Sequence, residues 1–292
     1  MLEKVAIYTR DSNSRTREGV NRLVDEFCRR GIKIQIHQKS GDPVICPGGE
    51  LIEPFRDLSA SSCLPDLVLS VGGDGTFLDT VLKVKDLGIP IAGVNTGRMG
   101  FLANISAGEI SHSIDMLCQG EYEIIERCLL ELSQPSGLFE GNSSSALNEI
   151  TIHKADLSMI TINVYVNETY LNTYWSDGLI ISTATGSTAY NLSVGGPILS
   201  PEDTSIIISP IAPHNLTIRP IIISGDSRLR MTIEGRSDGY LATCDFRSKK
   251  VPFKEEIHIV RAPVKLKTVM LKGRDFYSTL RNKLMWGADR RN

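Results

Sequence analysis

A chain of 292 residues, 41% hydrophobic and 23% charged, has the composition of a globular protein long enough for two domains. A net charge of −2 with interspersed signs leaves no basic stripe for nucleic acid, and no apolar run is long enough to span a bilayer. The opening MLEKVAIYTR lacks a signal-peptide core, and six scattered cysteines without a C-x-x-C pair suggest neither a disulfide framework nor a zinc knuckle; a cytoplasmic location is expected.

The first stretch alternates two periodicities. KVAIYT (4–9) and KIQIH (33–37) are short apolar runs, and between them Val20, Leu23, Val24 and Phe27 recur at helical spacing with Gly31 as the stop. DLVLSV (66–71) predicts a further strand, 76–87 a helix carrying Phe77, Val81 and Leu82, and IPIAGV (89–94) the next strand. Ser106 and Glu109 form the signature of a capping box ahead of Ile110, Ile114 and Leu117, and Gly120 ends that helix. Strands separated by helices predict a parallel, doubly wound sheet, which binds ligands beyond the carboxyl ends of its strands.

Beyond about residue 121 the grammar becomes that of a β-sandwich. EIIERCLLELS, ALNEITIHK, MITINVYVNETYL, GLIIST, TSIIISP, TIRPIIIS, RLRMTIEG and IHIVRAPVKLKTVML are β-branched and punctuated by turn residues. Residues 133–145 read as a solvated loop or hairpin tip. The tail FYSTLRNKLMW (276–286) returns to helical spacing at Phe276, Leu280 and Leu284.

Four stretches carry candidate chemistry. SVGGDGT (70–76) runs from a strand into three glycines around Asp74, where a plain βα turn and a phosphate cradle with one carboxylate are about equally good readings. It is neither a Walker loop nor a G-x-G-x-x-G fingerprint. NTGRMGFL (95–102) follows the neighbouring strand, with Gly97 and Gly100 keeping its backbone open and Arg98 as a phosphate candidate beside a solvated-loop reading. Asn148 and Glu149 begin a strand, as a polar start or as an amide and carboxylate suited to ribose hydroxyls. Finally, 176–199 crowds Thr183, Thr185, Ser187, Thr188 and Ser193 around Tyr190, an aromatic able to stack on a base. Buried hydroxyls need partners, so a ligand-lining role is favoured.

Taken together, GGDGT (72–76), NTGRMGFL (95–102), NE (148–149), DGLIISTATGSTAYNLSVGGPI (177–198) and APHNLTIRPII (212–222) resemble the ATP-dependent NAD kinases over most of the chain. GGDGT is shared with diacylglycerol, sphingosine and phosphofructokinases; the 177–198 block is the specific signal. The resemblance implies a Rossmann-like α/β domain over 1–122, a β-sandwich NAD-binding domain over 123–270, and a helical segment 271–292 packing on the first. NAD would lie between the two domains. It implies phosphorylation of the 2′-hydroxyl of the adenosine ribose of NAD by ATP, with Mg²⁺ carried by the ATP, in a homodimer or homotetramer.

By the same resemblance Asp74 is the proton acceptor with Gly75 beside it, and Asn148 and Glu149 hold a ribose. Asp177 meets the nicotinamide or its ribose, and Thr188, Ala189, Tyr190, Asn191, Leu192 and Ser193 line the adenine side. Ala212 adds a backbone or packing contact, while Gly72, Gly73, Arg98 and Arg247, with Lys154, are phosphate candidates. The chain departs from the family pattern at Ala184, where a proline is usual, and at Arg247, in the position of a glutamine. Met159 and Trp175 stand where relatives often carry a polar or basic group. Two rivals stand beside this reading: a lipid kinase, disfavoured by the hydroxyl-rich 183–193, and a silent NAD-binding sensor, disfavoured by the retained Asp74.

Overall fold

The computed structural model describes residues 2–10, 13–37, 52–61, 63–97, 100–139 and 144–285. Two units divide the chain, 1–126 with 266–292 and 127–265.

In the first unit β1 (Lys4–Tyr8), α1 (Ser14–Arg29), β2 (Lys33–His37), β3 (Glu53–Phe55), β4 (Leu67–Gly72), α2 (Asp74–Val84) and β5 (Ile91–Asn95) follow in order. Every residue of β4 and β5 is buried, as expected of parallel strands covered on both faces. The parallel order is β5-β4-β1-β2-β3, so the chain reverses direction across the sheet between β1 and β4. Such a reversal opens a crevice at the carboxyl ends of the two strands, where the loops diverge. Helix α1 is N-capped by Asn13, whose Oδ1 accepts the Thr16 N–H at 3.0 Å, and it buries Val20, Leu23, Val24 and Phe27 against the strand side chains Val5, Ile7, Leu69 and Val71.

After β6 (Ile105–Ser106) comes α3 (Ile110–Gln119), ended by Gly120. Ser106 and Glu109 do bond, but hydroxyl to carboxylate at 2.8 Å, and a short 3₁₀ turn over 107–109 precedes the helix in place of a capping box. Cys28 also departs from expectation, being disulfide-bonded. No helix of the described residues is long and apolar enough to cross a membrane.

The long strand β7 (Tyr122–Gln134) leads into the second unit, followed by β8 (Ser145–Ala146), β9 (Glu149–Lys154), β10 (Ile160–Val166), β11 (Thr169–Ser176), β12 (Gly178–Ser182), the single-turn helix α4 (Tyr190–Ser193) and β13 (Ile206–Ile211). Then come β14 (Ile221–Ile223), β15 (Leu229–Glu234), β16 (Tyr240–Cys244), β17 (Arg247–Val251) and β18 (Ile257–Leu271). The order β14-β13-β12-β9-β16-β17 makes one antiparallel sheet. Alternate residues of it, such as Ile150, Ile152, Leu179 and Ile181, meet Ile160, Ile162, Met231 and Ile257 of the β11-β10-β15-β18 set in one apolar core.

The stretch read as one strand from 159 is a hairpin, turning at Asn167 and Glu168 with φ of 50° and 63°. Of the expected loop 133–145, Phe139 is buried in the core. The hairpin β16–β17 has no counterpart among the predicted strands. Strand β18 pairs with β15 near its start and, at Thr268, with Ile91 of β5; α5 (Phe276–Leu284) follows in the first unit.

Candidate active site

The carboxyl end of β4 delivers Gly72 and Gly73, and α2 opens on Asp74 with Gly75 in its first turn. The Asp74 carboxylate turns toward the loop after β5, where Oδ2 accepts the Phe101 N–H at 2.9 Å and Oδ1 accepts those of Leu102 and Ala103 at 3.1 and 3.2 Å. Three backbone donors on one loop fix the group's orientation and occupy both acceptor sites of Oδ1 and one of Oδ2, which leaves Oδ2 a lone pair for a hydroxyl. The turn reading of GGDGT therefore covers the backbone but not this side chain, which is held by a second loop.

Gly100 shows why that loop needs its glycine. A Cβ there would sit 1.6 Å from Asp74 Oδ1. Gly100→Ala is expected to keep the fold, push the carboxylate aside and lower turnover roughly tenfold to 10²-fold, the order that a displacement of about 1 Å costs. Steady-state rates beside a thermal melt check this, and wild-type turnover in the Gly100→Ala variant would remove Gly100 from the site.

At the reversal point between β1 and β4 a cavity of about 440 Å³ is lined by Asn13, Arg15, Thr16, Gly72, Gly73 and Gly97. The first turn of the 16-residue α1 and the glycines after β4 face it, so open N–H groups, a guanidinium and the positive end of a helix converge on one space. Arg15 is a member that sequence reasoning missed, because nothing in SNSRTREG marks it beyond its place at a helix start. Arg98 lies outside the described residues.

In the second unit Asn148 and Glu149 precede and begin β9, and their backbone is clasped by Asp245 from the β16–β17 turn. Its Oδ2 accepts the Leu147 N–H at 2.9 Å, and Oδ1 those of Asn148 at 2.8 Å and Glu149 at 3.2 Å. Asp245 itself adopts φ 51°. Burial raises the pKa of both carboxyls, but the three donors oppose this at Asp245, so the negative charge of the pair resides there. Glu149 is pushed up to about 8, first by burial and then by the Asp245 charge, against a weaker pull from the Tyr190 N–H. Its buried Oε2 makes no hydrogen bond among the described residues. A protonated Glu149 both donates and accepts, as a sugar hydroxyl does.

A pH prediction follows from the sign of that shift. The folded state holds the Glu149 proton more tightly than an exposed glutamate near 4.5, so the stability it contributes is complete below that value and is lost as pH rises through about 8. Glu149→Gln should flatten the decline of melting temperature over this window in the ligand-free protein. Parallel melting curves for the two proteins would show that Glu149 is charged when folded.

The hydroxyls of 182–193 turn out to be occupied within the protein. Thr183 Oγ1 donates to Leu147 O at 2.6 Å and accepts the Gly186 N–H; Ser187 Oγ accepts the Leu199 N–H at 3.0 Å. Thr188 Oγ1 donates to Thr185 O at 3.2 Å, Ser193 Oγ donates to Tyr190 O at 2.7 Å, and Thr185 Oγ1 accepts from Arg127. These groups therefore fold the loop that carries α4, while the acceptor lone pairs of Thr188 and Ser193 stay open for a ligand. Gly186 is required by the same packing, since a Cβ there would lie 2.0 Å from Asn148 O. Asn191 is fully buried, donating to Ser187 O and Pro197 O and accepting from Ser209 Oγ at 2.6 Å, which makes it a brace. Thr188, Ala189, Tyr190, Leu192 and Ser193 keep exposed surface; Tyr190 is 38% exposed, and its backbone N–H reaches the Glu149 carboxyl.

The remaining candidates lie elsewhere. Asp177 and Ala212 meet at the opposite end of β12, where the Asp177 N–H donates to Ile211 O at 3.0 Å, about 15 Å from Glu149 by strand rise. Asp177 pairs with Lys154 at 2.6 Å. Arg247 donates to Ser145 O and stacks 5.2 Å from the Phe139 ring centre. Met159 and Trp175 are 47% and 49% exposed.

Comparison with known proteins shows the family. Residues 10–122 match the ATP-NAD kinase N-terminal domain and 147–271 the ATP-NAD kinase C-terminal domain. The chain is 38% identical to the NAD kinase of Flavobacterium psychrophilum over 99% of its own length and 100% of the relative's. It is 46% identical to that of Bacteroides fragilis over 77% and 78%. Among solved structures, yeast NADH kinase complexed with NADH superposes with a TM-score of 0.84 at 22% identity, covering 99% of this chain and 89% of that one. An Archaeoglobus fulgidus NAD kinase in complex with ATP gives 0.75 at 25%, covering 97% and 98%.

Proposed function

The chain belongs to the ATP-NAD kinase family and is an NAD kinase; from that premise we propose that Asp74 is its proton acceptor. The acceptor hydroxyl is the 2′-hydroxyl of the adenosine ribose of NAD, and the product is NADP. The observation that carries this reading is the Asp74 carboxylate, aimed by three N–H groups and standing beside a cavity of phosphate-binding character. A sugar hydroxyl is a poor nucleophile, and phosphoryl transfer leaves the protein mainly the work of positioning and charge neutralisation.

The triphosphate of ATP takes the space between α1 and the glycines, with Gly72 and Gly73 offering backbone and Arg15 its guanidinium. Magnesium enters as part of the ATP substrate and neutralises charge on its phosphates. Asn148 and Glu149 hold a ribose, Tyr190 offers its ring to a base, and Asp177 meets the nicotinamide half. The enzyme works in the cytoplasm as a homodimer or homotetramer. Purified protein given NAD, ATP and Mg²⁺ should form NADP, read through an NADP-specific dehydrogenase, and Asp74→Asn should lose that activity; NADP formation at the wild-type rate in the variant would overturn the assignment of Asp74.

A further inference from the structure

The last turn of α5 brings Lys283 to the same loop that holds Asp74. Its Nζ lies 4.5 Å from the centre of the Phe101 ring, and the Phe101 N–H is one of the three that bind the Asp74 carboxylate. The helix is well anchored there. Asp275 Oδ1 caps it through the Ser278 N–H at 2.8 Å, Leu280 is buried, and Arg274 just before it pairs with Glu109 at 2.7 Å. Among the described residues no carboxylate lies within ion-pair distance of Lys283. Burial pulls its pKa below the ordinary lysine value, and the charge of Asp74 pushes it back up.

A lysine kept partly out of water on an aromatic face, without a bonded counter-ion, is a cation held in reserve. The reaction proposed above creates a use for it. The 2′-oxygen forms its bond to the γ-phosphorus, its proton passes to Asp74, and the bond from that phosphorus to the bridging oxygen breaks with the electron pair leaving on ADP. A phosphate with about two negative charges therefore arrives beside the protonated Asp74 carboxyl, and beside a carboxylate once Asp74 releases that proton to solvent. We propose that Lys283 is the cation that meets the phosphoryl group during transfer and holds the 2′-phosphate of the product. The inference rests on the assignment of Asp74, and it adds a contact made to the product and not to NAD.

The test compares Lys283→Met, which keeps an apolar stem on Phe101, with Lys283→Arg and Lys283→Gln, titrating each with NADP⁺ and with NAD⁺ by calorimetry and measuring kcat and KM. Loss of a charge-assisted contact predicts NADP⁺ affinity weaker by about tenfold to 10²-fold in the Met and Gln variants. NAD⁺ affinity and the KM for NAD⁺ should stay within about threefold, kcat should fall by the same order as NADP⁺ binding, and Arg should restore most of it. Equal loss of NAD⁺ and NADP⁺ affinity, or wild-type NADP⁺ binding in both neutral variants, would reduce Lys283 to a packing residue. An Asp74→Asn enzyme with normal turnover would instead remove the parent assignment, an outcome the binding ratio at Lys283 keeps separate.

Discussion

Asp74→Asn lowers turnover by about 10²-fold to 10⁴-fold, the range expected for a lost proton acceptor, while the protein still folds and binds NAD. Asparagine has the shape of the carboxylate, so its Oδ1 can continue to accept the Leu102 and Ala103 N–H groups. Its amide nitrogen then faces the Phe101 N–H, which loses its acceptor at a cost of roughly 1 kcal/mol of stability. A small loss of stability with a large loss of rate separates chemistry from folding. Steady-state rates and a melt on one preparation decide it, and turnover within about threefold of the wild type would strip Asp74 of its role.

The largest loss of stability should come from Asp245→Ala. The substitution leaves the Leu147, Asn148 and Glu149 N–H groups without their acceptor in a place that water does not reach, where each such group costs about 1–3 kcal/mol. A total of roughly 3–5 kcal/mol is expected, a large share of what keeps a domain folded. It should appear as a lower denaturation midpoint with an unchanged slope. Because the clasped backbone carries Asn148 and Glu149, NAD affinity should fall as well, and Asp245→Asn, which keeps one acceptor oxygen, should fall between. A midpoint shift worth less than about 1 kcal/mol would mean that the strand holds its own register without the clasp.

How much of this could be read from the chain depended on whether the signal was local. The βα alternation was legible because Val20, Leu23, Val24 and Phe27 repeat at helical spacing and 67–71 is an unbroken apolar run ahead of glycines. The loop 95–102 was placed beside Asp74 because parallel neighbours end at the same edge. The β16–β17 hairpin escaped, since LATC and RSKKV are short and partly charged, and the turn between them hides a buried aspartate whose partners lie almost a hundred residues earlier. The internal partners of the 183–193 hydroxyls were hidden for a related reason. Composition says that they need partners, but only the folded loop shows that backbone carbonyls supply them. Lys283 gave no signal at all: its meaning comes from an aromatic ring at position 101.

Strand β18 has a consequence for how the protein is made. Val269 and Leu271 belong to the apolar core of the first unit, and Thr268 pairs with Ile91 of its sheet. On the ribosome those residues emerge only after the entire second unit has been synthesised. The amino-terminal part of the first unit therefore waits, with some of its interior open, for residues 266–271, whereas most domains at an N-terminus can close as soon as they leave the tunnel. Premature termination before residue 266 would leave the first unit's sheet without the Thr268 pairing and its core without Val269 and Leu271.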